Sequence, residues 1–198
     1  MILTHNELTK LINDGAIEGV KPEQINGASV DLTLGDVFFL EDRPARARLV
    51  RLGKKEVPLM RRATGELHLL PGEFCLAQTR EVFHLPDDVA AHYMLKSSLA
   101  RAGLQHLFAG FADPTWNGSV LTLEYVNQLR HHSLVLEPGM TCGQMVFFKG
   151  TSPVPAEHSY AVKGHDDDRD SGARVLRASQ YGHGEYRDWS LSRGTHQD

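Results

Sequence analysis

From residue 28 to residue 149 the chain is a succession of short apolar or alternating runs, each too brief for a core helix and each closed by a turn signal. The runs cover 28–34, 37–40, 66–70, 73–78, 82–85, 91–95, 119–126, 133–136 and 143–149. Leu34-Gly35-Asp36, Pro71-Gly72, Asn117-Gly118 and Pro138-Gly139 punctuate them. Strands of this length and spacing turn back on their neighbours, which predicts a mainly β fold, an antiparallel barrel or jelly roll. Two short helices interrupt the pattern. Thr4 is placed to cap a helix over 5–14, with Glu7 at the capping-box position, Leu8, Leu11 and Ile12 at helical spacing, and Gly15 at the end. Over 97–104, Leu99, Ala100 and Ala102 favour helix, a serine can cap it and Gly103 can close it. A helix set between strands in this way would aim its first amides at an anion.

With 198 residues, 41% of them hydrophobic and 23% charged, the chain fits one globular domain that needs no disulfide. A formal net charge of -4 argues against a general nucleic-acid binder, so an anionic ligand would have to meet a local cluster of cations. Cys75 and Cys142 stand far apart in apolar runs and read as reduced core thiols. No run approaches the ~18 apolar residues of a membrane span, and no basic region with an apolar core opens the chain. A cytoplasmic protein without a membrane partner is the expectation. Beyond Pro155 the character changes to an acidic run, Asp166 to Asp170, and a polar, glycine-bearing end. The predicted organisation is therefore a folded domain over 1–155 and a C-terminal tail over 156–198, mobile and ordered by ligand.

Chemistry concentrates in three places. Lys96-Ser97-Ser98-Leu99-Ala100-Arg101 offers an ammonium, two hydroxyls and a guanidinium, a set suited to the acceptors of a triphosphate and equally compatible with a surface helix. Asp113 precedes Pro114, where its carboxylate can cap a turn or receive a ligand hydroxyl. In Leu121-Thr122-Leu123-Glu124, alternation puts the two leucines on one face and Thr122 with Glu124 on the other. Facing a cleft between subunits, Glu124 would be a general base and acid, whereas on an exposed sheet it would be a solubilising charge. The eleven histidines include His131-His132, His165 and His183, none with a partner at zinc spacing, and the H-x-E with P-C-x-x-C signature of zinc deaminases is missing. They read as scattered surface residues. The acidic run lacks the EF-hand pattern.

Taken in order, several segments resemble the dCTP deaminase family, within the wider trimeric dUTPase-like superfamily. They are Met1-Ile2-Leu3, Ala28-Ser29-Val30-Asp31-Leu32 with Leu34-Gly35, Pro71-Gly72-Glu73-Phe74 and Leu85-Pro86-Asp87-Asp88. The series continues through Ser97 to Arg101, Asp113-Pro114, Thr122-Leu123-Glu124, and Pro138-Gly139-Met140 with Gly143-Gln144. The resemblance covers most of residues 1–150. It implies a distorted jelly roll of the dUTPase-like type, a homotrimer with active sites between subunits, and zinc-independent hydrolytic deamination of a deoxycytidine nucleotide. Magnesium would be carried by the substrate's triphosphate. By position, Glu124 would shuttle protons, while Ser97, Arg101 and the Ala109 carbonyl would orient the water and the glutamate. Lys96 and Ser98 would bind phosphates, Asp113 the deoxyribose hydroxyl and Gln144 a nearby part of the nucleotide. Thr122 and Leu123 would also contact the nucleotide, and Tyr160 would close over the triphosphate.

Three departures from the family pattern stand out. Lys96 replaces the usual arginine, which keeps the charge and loses the bidentate fork. The chain is one residue short between Arg101 and Asp113 and one long between Gly118 and Glu124, so a shifted turn or bulge is expected. The later lysine and glutamine of the family's tail are absent from 166–172, with Lys163 as a substitute. The resulting expectation is dCTP plus water giving dUTP and ammonia. The alternatives are a dUTP diphosphatase or bifunctional enzyme, with a carboxylate such as Asp113 activating water toward the α-phosphate, and a catalytically idle nucleotide-binding trimer.

Overall fold

Apolar residues at Leu8, Leu11 and Ile12 give the first helix, α1 (His5–Asn13), a face that packs on the core, with Leu8 fully buried. Its start is tied by the Glu7 carboxylate, which accepts from the Thr4 amide at 2.8 Å and the Thr4 hydroxyl at 3.1 Å. Those bonds hold the Glu7 carboxyl below its usual range. The computed structural model describes residues 1–42, 49–50 and 60–159. Tyr160, Lys163 and nearly all of the predicted tail lie outside the described residues.

Twelve strands follow among the described residues: β1 (Ile17–Glu18), β2 (Val30–Thr33), β3 (Val37–Glu41), β4 (Met60–Thr64), β5 (Leu67–Leu69) and β6 (Phe74–His84). Then come β7 (Val89–Leu95), the second helix α2 (Ser97–Arg101), β8 (Leu104–His106), β9 (Phe111–Ala112), β10 (Asn117–Asn127), β11 (Leu134–Leu136) and β12 (Thr141–Lys149). Every pairing is antiparallel. One sheet has the order β4-β3-β6-β10-β8 with β1 on β6, a second has the order β2-β12-β7-β9, and β5 pairs with β11 as a ribbon. One continuous core, including Leu32, Phe38, Phe83, Leu123, Tyr125 and Phe147, fills the space between them. The mainly β architecture with two short helices is the one expected from the sequence.

Two predicted strands, 73–78 and 82–85, are a single eleven-residue strand, β6. The segment Thr79-Arg80-Glu81 reads as a break because its side chains are polar or charged, yet Glu81 is fully buried. Its carboxylate accepts from the Thr33 amide at 2.9 Å and from Gln24 Nε2 at 3.1 Å, so the charge is solvated by the facing sheet. Opposite this point the β10–β6 ladder shifts register between Val120 and Thr122, and Thr79 Oγ1 accepts the Leu121 amide at 3.0 Å. A second shift lies between Asn117 and Ser119, where Gly118 has φ 69°. The surplus residue of β10 at Gly118 is a bulge of the kind the spacing predicted, whereas at Leu121 the surplus lies on β6, whose Thr79 to Glu81 stand opposite one residue. α2 stops at Arg101 rather than continuing to 104, and its N-cap is Lys96 rather than a serine. Gly103, at φ 97°, turns the chain into β8, as expected.

Both cysteines are free and buried, and burial pushes each thiol up to about 12. Among the described residues no helix is long and apolar enough to cross a membrane.

Candidate active site

The structure gathers the predicted residues into two groups. The first surrounds Glu124. Alternation in β10 sends Leu121 and Leu123 inward, at 6% and 0% exposure, and leaves Thr122 and Glu124 on the other face. There, Ala109, Thr122 and Glu124 line a cavity of about 100 Å³ with Phe111 and Trp116. Leu123, expected among the nucleotide contacts, has its side chain wholly in the core, so only its backbone is available to a ligand.

His106 completes this group, and the sequence reading missed it. It sits on β8, directly opposite Tyr125 of β10, and is buried. Its Nε2 lies 3.2 Å from Glu124 Oε2, and both atoms are shielded from solvent without an established hydrogen-bond geometry. The Phe108 amide donates to His106 Nδ1 at 3.3 Å, which places the ring proton on Nε2, facing the glutamate. Phe108 adopts φ 63°, a left-handed conformation unusual for a bulky residue, as the chain turns around the imidazole. The Leu107 amide meanwhile bonds the Glu124 carbonyl at 3.1 Å.

The imidazole is held by two tyrosines, Tyr93 with ring centroids 4.6 Å apart and Tyr125 at 5.9 Å. Their hydroxyls are 2.7 Å apart, and Tyr93 donates to the Cys142 carbonyl at 2.9 Å. Burial drives both phenols far above the ordinary tyrosine range. Tyr93 fits only because Gly143 has no side chain, since a Cβ there would stand 2.2 Å from the ring. The signal that could have found His106 is local: Leu104 and His106 alternate inward on either side of Gln105, just after a helix-ending glycine.

The second group is cationic and polar. Lys96 Nζ is 2.8 Å from Asp31 Oδ1, in a partly buried pair, and Asn26 Nδ2 donates to the same oxygen at 2.7 Å. Gln144 pairs with Asp31 across β12 and β2, and its Oε1 accepts from Ser29 at 3.3 Å. Ser97, Ser98 and Arg101 project from α2 and are exposed on the single chain. Asp113 directly follows β9 and is half-buried. A carboxylate beside an imidazole N–H can move protons to and from water. Hydroxyls and fixed cations nearby can take phosphate oxygens.

Residues 2–150 match the dCTP deaminase-like family model. A dUMP-forming dCTP deaminase from Beutenbergia cavernae is 37% identical over 195 residues, covering 91% of this chain and 94% of that protein. The protein of the same name from Streptomyces coelicolor is 38% identical over 167 residues, covering 81% and 85%. In three dimensions, the 2'-deoxycytidine 5'-triphosphate deaminase of Agrobacterium tumefaciens superposes with a TM-score of 0.57 at 20% identity. That likeness covers 84% of this chain and spans 53% of the Agrobacterium chain. The two chains thus share a fold. The chain belongs to the dCTP deaminase-like family.

Proposed function

We propose that the protein carries out both steps of a dUMP-forming reaction: dCTP plus water gives dUTP and ammonia, and dUTP plus water gives dUMP and pyrophosphate. The sequence reading favoured release of dUTP and kept the bifunctional enzyme as its alternative. The relatives named dUMP-forming, matched over 94% and 85% of their own length, favour the alternative.

In the first step Glu124 takes a proton from a water directed at C4 of the cytosine and later delivers one to the departing amine. His106 faces the Glu124 carboxylate, with Nε2 3.2 Å from Oε2, and orients it when the substrate aligns the pair. Ser97, Arg101 and the Ala109 carbonyl orient the water, and Ala109 lines the same cavity as Glu124. Lys96 and Ser98 take phosphate oxygens, Gln144 a nearby part of the nucleotide, and magnesium arrives as part of the chelated substrate. Asp113 holds the deoxyribose hydroxyl and is the carboxylate for the second water.

A homotrimer with sites between subunits accords with the exposure of Ser97, Ser98 and Arg101 on one chain. It also accords with the apolar residues beside the cavity, Phe108 at 80% and Phe111 at 61% exposure. Tyr160 and the tail over 156–198 would close over the triphosphate.

The observation that carries the chemistry is the Glu124–His106 pair at the cavity. The test is a product analysis with magnesium and dCTP. Ammonia, pyrophosphate and dUMP in equal amounts are expected. Ammonia with accumulating dUTP and no pyrophosphate would reduce the reading to a simple deaminase, and no ammonia would refute it.

A further inference from the structure

The Thr122 hydroxyl is a buried polar atom without a hydrogen-bond partner among the described residues, and Thr122 lines the cavity that Glu124 also lines. Buried hydroxyls are nearly always bonded, so a bare one at a site marks a missing partner. The ladder shift between Val120 and Thr122 falls immediately before it, the kind of irregularity that re-aims a side chain next to an active site. Thr122 and Glu124 share one face of β10, roughly 7 Å apart along the strand at its usual rise. That separation is about the width of a pyrimidine ring and its substituents, so a base whose C4 meets Glu124 brings its hydrogen-bonding edge past Thr122.

Deamination inverts that edge. Cytosine presents an amino donor at C4 and an acceptor at N3, whereas uracil presents a carbonyl acceptor at C4 and a donor at N3. An ammonium, a carboxylate or a backbone amide suits one of these and is left unpaired by the other. A hydroxyl has one donor and two acceptor positions and rotates to suit either. We propose that Thr122 is a specificity-determining residue whose hydroxyl bonds the pyrimidine edge both before and after deamination, so that one pocket retains the nucleotide through both hydrolyses. The inference rests on the dUMP-forming reading and explains how a single site serves two bases of opposite polarity.

The experiment uses the full chain carrying Glu124→Gln, so that bound dCTP is not deaminated, and titrates dCTP and the α,β-imido analogue of dUTP, which the second hydrolysis does not cleave, separately by calorimetry with magnesium. Adding Thr122→Val, which keeps shape and strand preference, is expected to weaken both nucleotides by about tenfold, the size of one lost hydrogen bond with its partner left bare. Thr122→Ser is expected to restore both to within about twofold. The melting temperature of the ligand-free Thr122→Val protein is expected not to fall, because the hydroxyl has no partner to lose there. Unchanged affinities, weakening of one nucleotide alone, or a lower melting temperature without ligand would each overturn the proposal. If the Glu124→Gln protein itself bound neither nucleotide, the site reading would fall and this inference with it. Tight binding by that parent with no effect at Thr122 would sink the inference alone.

Discussion

Replacing His106 with phenylalanine separates what the imidazole does as a polar group from what it does as a ring. The ring position between Tyr93 and Tyr125 is kept, while the Nε2–H facing Glu124 at 3.2 Å and the Nδ1 acceptor for the Phe108 amide are both lost. The contact is not a formed hydrogen bond in the free chain, but one aligned on substrate binding to a charged carboxylate would contribute about 1.5–3 kcal/mol. If that stabilisation is realised as Glu124 exchanges protons in the transition state, kcat for ammonia release falls by about 10- to 150-fold. The Nδ1 bond is long and neutral, about 0.5–1.5 kcal/mol, so the folded protein survives with a melting temperature a few degrees lower. KM for dCTP moves little, because Lys96 and its neighbours are untouched. The assay is steady-state ammonia release across dCTP concentrations, with a thermal melt of the same preparation. A kcat within twofold of the parent in a folded His106→Phe protein would show the imidazole to be packing material alone.

Three further outcomes follow from the same geometry. Tyr93→Phe deletes the bonds to Tyr125 and the Cys142 carbonyl at a buried position, which costs about 1–3 kcal/mol and lowers the melting temperature by several degrees. Gly143→Ala drives a methyl into the Tyr93 ring between two paired strands, and a loss of about 3 kcal/mol or more is expected in a denaturant titration. The buried thiols have folded values near 12 against 9.0 for the free group, so their contribution is complete below about pH 9 and is lost as pH rises toward 12. Stability should therefore fall by up to about 1.4 kcal/mol per pH unit for each thiol across that window, with the two buried tyrosines adding loss of the same sign above pH 10. Melts at pH 8, 9, 10 and 11, with Cys→Ser controls, measure the share due to each thiol.

The sequence exposed its strands where alternation was strong and hid them where polar residues were satisfied internally. β10 and β12 declared themselves because apolar side chains recur at every second position. The middle of β6 did not, since a glutamate with a dedicated set of donors on the opposite sheet looks like a loop charge until that sheet is in place. β4 was missed because Met60-Arg61-Arg62-Ala63-Thr64 carries little apolar material and is only partly covered. The same contrast holds at the site. Glu124 was legible from its strand phase, whereas His106 was not, because its neighbours Tyr93 and Tyr125 come from strands distant in sequence. Lys96 was correctly placed at the start of a helix, and only the folded chain pairs it with Asp31.

One more consequence attaches to Gly118. An extra residue in a paired strand ordinarily turns every later side chain over, which would put Glu124 in the core and Leu123 in the cavity. Here the extra residue of β10 is taken up at Gly118 in a left-handed bend, the two extra residues of β6 are taken up opposite Leu121, and from there Thr122 to Val126 pair in unbroken step with Gln78 to Phe74. The strand works as a slip joint: its length can drift at one end while the other end keeps time with the chemistry.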